Sequence, residues 1–147
     1  MPPKESPIEA EAAIHVAEFR TALRLFLRTS EQIARESGLT PQRHLLLLMI
    51  KGAPDGSEQT TITQLVDRLQ LAQNTVTELV NRAEQIGLIK RERSDHDGRV
   101  AHLRLTNKGE RRLARAFKAH EGERRELRRM LAELERADRL LKSKRRR

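Results

Sequence analysis

The chain has 147 residues, enough for one domain with a real hydrophobic core. Charged side chains make up 35% and aromatics 2%, with no Trp or Tyr, which suits a helix-rich protein with long solvated faces and excludes a disordered chain. The absence of cysteine excludes disulfides, thiolate metal sites and cysteine-based redox sensing, while the formal net charge of +9, of a kind usual in nucleic-acid binders, does not by its total identify a partner. That surplus is unevenly placed: basic and acidic side chains balance up to Glu110, and the excess falls on the residues after it. No apolar run approaches the ~20 residues of a membrane span. The opening MPPKESP lacks the basic-then-apolar layout of a signal peptide, so a cytoplasmic protein is expected.

Residues 1–7 read as a polar, frayed tail. From Ile8 to about Ser37, Ile8, Ala12, Val16, Phe19, Leu23, Phe26 and Ile33 recur at helical spacing, and Gly38 is a natural stop. Thr40-Pro41 supplies an N-cap and a first-turn proline for a second helix. Its apolar run from Leu45 to Ile50 predicts a helix through the centre of a domain. A loop follows at 53–59, then a short edge strand at 60–62, a short helix at 63–70 and a longer one at 72–86. Two strands, 88–93 and 100–105, flank the loop 94–99, where Asp97-Gly98 favours a tight hairpin turn. Thr106 then caps a final helical region to about Leu141, with a break expected near Gly122 and a basic tail, KSKRRR, at 142–147. The fold expected is mainly α with a small β-hairpin: a winged helix-turn-helix at about 41–105, flanked by terminal helices at about 8–37 and 106–141.

On the 72–86 helix, a turn of 100° per residue puts Val76, Leu79, Val80 and Ala83 on one stripe and Asn74, Glu78, Asn81 and Gln85 opposite. Such a polar face suits readout of base edges, where Asn pairs with adenine and Glu accepts from cytosine. Helix-turn-helix readers present the N-terminal part of their second helix to the major groove. Gln73, Asn74, Thr75, Thr77 and Glu78 are therefore the first candidates for DNA contact, with Asn81 and Arg82 next. Any amphipathic helix has a polar face, and the hairpin after it is what shifts the reading toward DNA. Arg99, beside the acidic turn residue Asp97, is placed to enter a minor groove. Arg91, Arg93 and Arg104 are candidate phosphate contacts, or solvate the sheet.

The run DGRVAHLRLTNKG matches the D-x-R, five residues, L-T-x-x-G wing pattern through Asp97, Arg99, Leu105, Thr106 and Gly109. With the upstream ITQLVDRLQLAQNTVTELVNRAEQIGLIKRER and LTPQRHLLLLMI, the chain resembles the MarR family of bacterial transcription regulators over nearly its whole length. Two departures stand out: Glu78 replaces a residue that is often basic or small, and Gly98 fills a slot that is often basic. The resemblance implies a homodimer on a pseudopalindromic duplex DNA operator, built from the terminal helices over Ile8 to Phe26 and Leu113 to Leu141. Arg124 and Asp138 would then pair across the seam. It also implies a repressor released by a small aromatic or phenolic effector, with Phe19, Leu23, Phe26, Arg43 and His44 as candidate lining residues. For Arg43 a surface salt bridge, and for His44 a satisfied buried histidine, are the plainer readings.

The KSKRRR tail either adds salt-sensitive, non-specific affinity or is a solubilising end. An enzyme is the weakest alternative: His96 lies between Asp95 and Asp97, but no ligand spacing such as His-x-x-x-His is present. No metal or cofactor is expected. The stronger alternative is a winged-helix module with an architectural or protein-docking role.

Overall fold

A computed structural model describes residues 5–93 and 99–147. Among these the order is α1 (Ala10–Glu36), α2 (Pro41–Lys51), α3 (Ile62–Leu69), α4 (Gln73–Gln85), β1 (Ile89–Arg93), β2 (Ala101–Leu105), α5 (Asn107–Ala119) and α6 (Glu121–Arg145). The chain divides into two compact units, Glu31–Ala119 and the pair of end segments Met1–Ser30 and His120–Arg147. No helix among the described residues is long and apolar enough to cross a membrane.

The 31–119 unit is organised around α2. Gly38 ends α1 in the left-handed region at φ +83°, and Leu39 N–H donates to Ala34 O at 2.9 Å. Thr40 then caps α2, its hydroxyl accepting from Arg43 N–H at 3.2 Å, with Pro41 in the first turn. Leu46, Leu47 and Ile50 are fully buried against Leu65 of α3, Val76 and Val80 of α4, and Leu103 of β2. Each such side chain contributes about 1.5–3 kcal/mol of burial. Leu45 departs from the all-buried expectation: it is 44% exposed, because a helix of 11 residues packed on several neighbours still keeps one side at the surface.

The edge strand expected at 60–62 shrinks to a single bridge, Thr60 with Leu103, made by two backbone hydrogen bonds of 2.8 and 3.1 Å. The next two residues are taken by a capping box. Thr61 Oγ1 accepts from Gln64 N–H at 3.2 Å, and Gln64 Oε1 accepts from Thr61 N–H at 3.1 Å, so Ile62 already belongs to α3. Behind it, the 53–59 loop is tied down by Lys51, which reaches Glu58 at 2.8 Å and Glu110 at 3.0 Å. Those two carboxylates hold the Lys51 ammonium above its ordinary range, and Lys51 holds Glu58 below its own.

In the other unit, α6 buries no residue fully, and large apolar side chains stay open on both segments: Val16, Leu25, Leu27, Leu131 and Leu140 are all at least 40% exposed. The helical break falls at His120 rather than Gly122; the His120 ring is buried and its Nε2 lies 2.9 Å from Ser30 O. The basic tail also differs from expectation, because α6 continues to Arg145. An i,i+4 pair between Lys142 and Asp138 at 2.8 Å supports that last stretch, so Asp138 has a partner on its own helix.

Glu123 sits in a groove of about 260 Å³ with Ala22, Leu25, Phe26, Leu127 and Met130, and both its carboxylate oxygens are buried with no hydrogen-bond partner. Burial pushes this carboxyl above its ordinary range, against the pull of nearby His120. A raised native value means the group costs nothing below its unfolded value and destabilises progressively as pH rises past it. Glu123→Met is therefore expected to stabilise the chain by about 1–3 kcal/mol near neutral pH, the cost of an unsatisfied buried polar group. In thermal unfolding the gap between variant and parent should narrow as pH falls through the carboxylate range; a gap that widens instead would refute the buried charge.

Candidate nucleic-acid interface

The α4 helix is held by its two ends. Gln70, at φ +56° and ψ +41°, turns the chain sharply after α3, its N–H donating to Val66 O at 3.1 Å. Leu71 tucks against the core in the turn, and Ala72 opens α4 in extended geometry without a side-chain cap. At the far end Gly87 takes φ +78°, Leu88 N–H returns to Ala83 O at 2.9 Å, and the Lys108 ammonium donates to Ile86 O at 2.8 Å. Val76, Leu79, Val80 and Ala83 are buried, as the periodicity predicts.

On the opposite side Gln73, Asn74, Thr77, Glu78 and Asn81 line one shallow, open recess. Five of the candidate contacts thus form a single polar face. Thr75 does not share it; the residue is half-buried and its N–H donates to Asn74 Oδ1 at 2.9 Å. Arg82 is exposed but tied to Glu78 at 2.5 Å, one turn back along the same helix.

The hairpin pairs Ile89 with Leu105 through to Arg93 with Ala101 in antiparallel register. Only Ile89 of β1 is buried, so the rest of that strand stands off the body, with Arg91 and Arg93 exposed. Arg91 is not left to solvent alone: its Nη2 donates to Asn81 Oδ1, and its Nε lies 3.4 Å from Glu84. Arg104 is drawn away from the phosphate role, donating to Ser57 O and Gln59 Oε1 at 3.3 Å each. Arg99 is exposed, two residues before β2 begins. Asp97, with Gly98 and His96, lies outside the described residues.

The L-T-x-x-G part of the wing pattern turns out to be scaffold. The Thr106 hydroxyl donates to Gly87 O at 2.5 Å and accepts from Gly109 N–H at 3.1 Å, capping α5, while Thr106 N–H donates to Leu88 O at 3.0 Å. A Cβ on Gly109 would lie 2.1 Å from Leu88 O, so only glycine allows the start of α5 to meet the chain entering β1.

A second polar recess was not anticipated. Arg35, Arg43 and Arg82 share it with Glu31, Thr40 and Pro41 at the N-terminus of α2, with Arg35 paired to Glu31 and Arg82 to Glu78. The signal was present in Thr40-Pro41, which marks the helix start, but which arginines converge there depends on three separate elements. Of the residues expected to line an effector site, Phe19 and Phe26 fall in different grooves of the end-segment unit, whereas Arg43 and buried His44 belong to the 31–119 unit.

A tri-helical core, with a tight turn between α3 and α4 and a two-stranded hairpin after α4, defines a winged helix-turn-helix protein. Residues 37–100 match the model of the MarR family. It is 35% identical over 82 residues to the HTH-type transcriptional regulator MgrA of Staphylococcus aureus, which covers 55% of this chain and 52% of that protein. The chain thus spans about half the length of the curated relatives it matches. Among solved structures, AbsC, a MarR family transcriptional regulator from Streptomyces coelicolor, superposes with a TM-score of 0.68 at 18% identity, covering 95% of this chain and 93% of that one. A mutant MarR from E. coli, complexed with operator DNA, superposes with a TM-score of 0.65 at 19% identity, covering 94% and 98%. At those identities the likeness speaks for the fold.

Proposed function

We propose that the protein is a transcription regulator that binds duplex DNA sequence-specifically as a homodimer, acting as a repressor at a pseudopalindromic operator. The observation that carries this reading is the single recess formed by Gln73, Asn74, Thr77, Glu78 and Asn81, on the side of α4 directly away from its buried stripe. Polar side chains at the start of a second helix, flanked by an arginine-bearing hairpin, are what a major-groove reader with a minor-groove wing requires. The start of α2, where Arg43 stands beside the paired Arg35 and Arg82, suits a phosphate that positions the duplex without specifying it. Pairing of two copies is supported by the open apolar side chains of α1 and α6, which a second chain would cover. Relatives named as transcriptional regulators fit the same reading, which leaves no catalytic role for the chain. Release by a small aromatic or phenolic effector, with Phe19, Leu23, Phe26, Arg43 and His44 as the lining residues, belongs to the same proposal.

Selection from random duplex DNA at near-physiological salt tests the proposal. Enrichment of a pseudopalindrome with half-sites about one helical turn apart is the expected result. Binding that tracks only salt, with no enriched sequence, would favour an architectural or protein-docking module instead.

A further inference from the structure

The pairing of Arg91 with the reading helix gives that arginine a role different from a phosphate contact. Arg91 stands on β1, one strand away from α4, and its guanidinium spans two residues of the helix. Its Nη2 donates to Asn81 Oδ1, while its Nε is 3.4 Å from Glu84 Oε2. An asparagine amide has one accepting and one donating end, and the pair with adenine uses both at once. With its oxygen engaged by a cation, Asn81 offers the recess its amide N–H groups, and the guanidinium behind them adds positive potential. Asn74 is turned the same way, its oxygen accepting from Thr75 N–H. A donor edge of this kind meets the paired acceptors of guanine, N7 and O6, and is mismatched to the N6 amino group of adenine.

We propose that Arg91 is a specificity-determining positioning residue, which fixes the amide of Asn81 so that this position of the reading helix selects guanine over adenine. The inference rests on α4 entering the major groove. It also replaces the adenine pairing expected from Asn81 alone.

The experiment is a parallel selection from random duplex DNA with the parent chain, Arg91→Ala and Asn81→Ala, followed by titration of the enriched site at several salt concentrations. Arg91→Ala should move the guanine-to-adenine ratio at one half-site position about tenfold toward adenine. The slope of log affinity against log salt should stay unchanged. Removing Arg91 from the Asn81→Ala background should alter that position no further. Uniform weakening with a slope reduced by about one unit would make Arg91 a phosphate contact and overturn the proposal. A fall in melting temperature with wholesale loss of binding, and no rescue of the guanine preference by Arg91→Lys, would make it merely structural and overturn it too. An enriched half-site whose base preference is indifferent to Arg91 defeats this inference alone. No enriched half-site for the parent chain defeats it together with the DNA-reading function.

Discussion

Replacing Gly109 with alanine should destabilise the protein by about 3 kcal/mol, the upper end of what overpacking costs in a well-filled interior. The methyl would be built 2.1 Å from the Leu88 carbonyl oxygen and 3.1 Å from its carbon, both backbone atoms that no rotamer change can move aside. Relief requires α5 to back away from the chain between α4 and β1. That movement would stretch the hydrogen bonds by which Thr106 joins Gly87, Leu88 and Gly109. The penalty should therefore include part of a cap and its bonds, and it should appear as a lower midpoint in urea with little change in slope. Gly122→Ala supplies the contrast. That helical position has open space around its Cα, so alanine there should stabilise by about 0.4–1 kcal/mol. Equal effects at the two glycines would show that helix propensity, and not the close approach, governs position 109.

Arg99→Ala should weaken binding to the selected operator by about 1–3 kcal/mol, roughly 10- to 100-fold, with little change in thermal stability. Arg99 is exposed beyond the last paired residue of β2, on a hairpin whose strands bury only Ile89, Leu103 and Leu105. Five paired residues make four steps of about 3.3 Å, so the Arg93–Ala101 pair lies roughly 13 Å from the Ile89–Leu105 pair, with Arg99 two residues further along the chain from Ala101. An arginine inserted in a narrow minor groove gains from the focused negative potential there, and A·T-rich steps narrow it most. The loss should therefore be larger on operators with A·T-rich flanks than on G·C-rich ones. A loss that is the same on both, accompanied by a weaker salt dependence, would place Arg99 on phosphate instead.

What could be read from the sequence was whatever is local. Gly38, Thr40-Pro41 and the 3.6-residue stripe of α4 each depend on a few neighbouring residues, and each sits where the pattern puts it. The strand expected at 60–62 failed for a local reason that was also legible, since Thr61 and Gln64 spell a capping box and outweigh the β-preference of Thr and Ile. The helix end was placed short, at about Leu141, because the i,i+4 pair of Asp138 with Lys142 was not counted toward the last turns of α6. Other features were out of reach for a physical reason. Arg91 and Asn81 are ten residues apart and lie on a strand and a helix, so no periodicity relates them. The grouping of Arg35, Arg43 and Arg82 likewise exists only after three elements have packed. Gly109 was recognisable as part of a pattern, yet its reason, the Leu88 carbonyl, lies about twenty residues upstream.

The reading helix divides its labour along its length in a way that bears on how such a protein could change partners over evolutionary time. Its hold on the body runs through Val76, Leu79, Val80 and Ala83, whereas Gln73, Asn74, Thr77 and Glu78 face an open recess. Substitutions among the latter four can drift without unsettling the fold, so a duplicated copy could acquire a new operator while remaining just as foldable as its parent. Position 81 is less free, since a change there leaves Arg91 with Glu84 as its one remaining partner on the helix, and a lineage exploring new sites would be expected to alter 81 and 91 together.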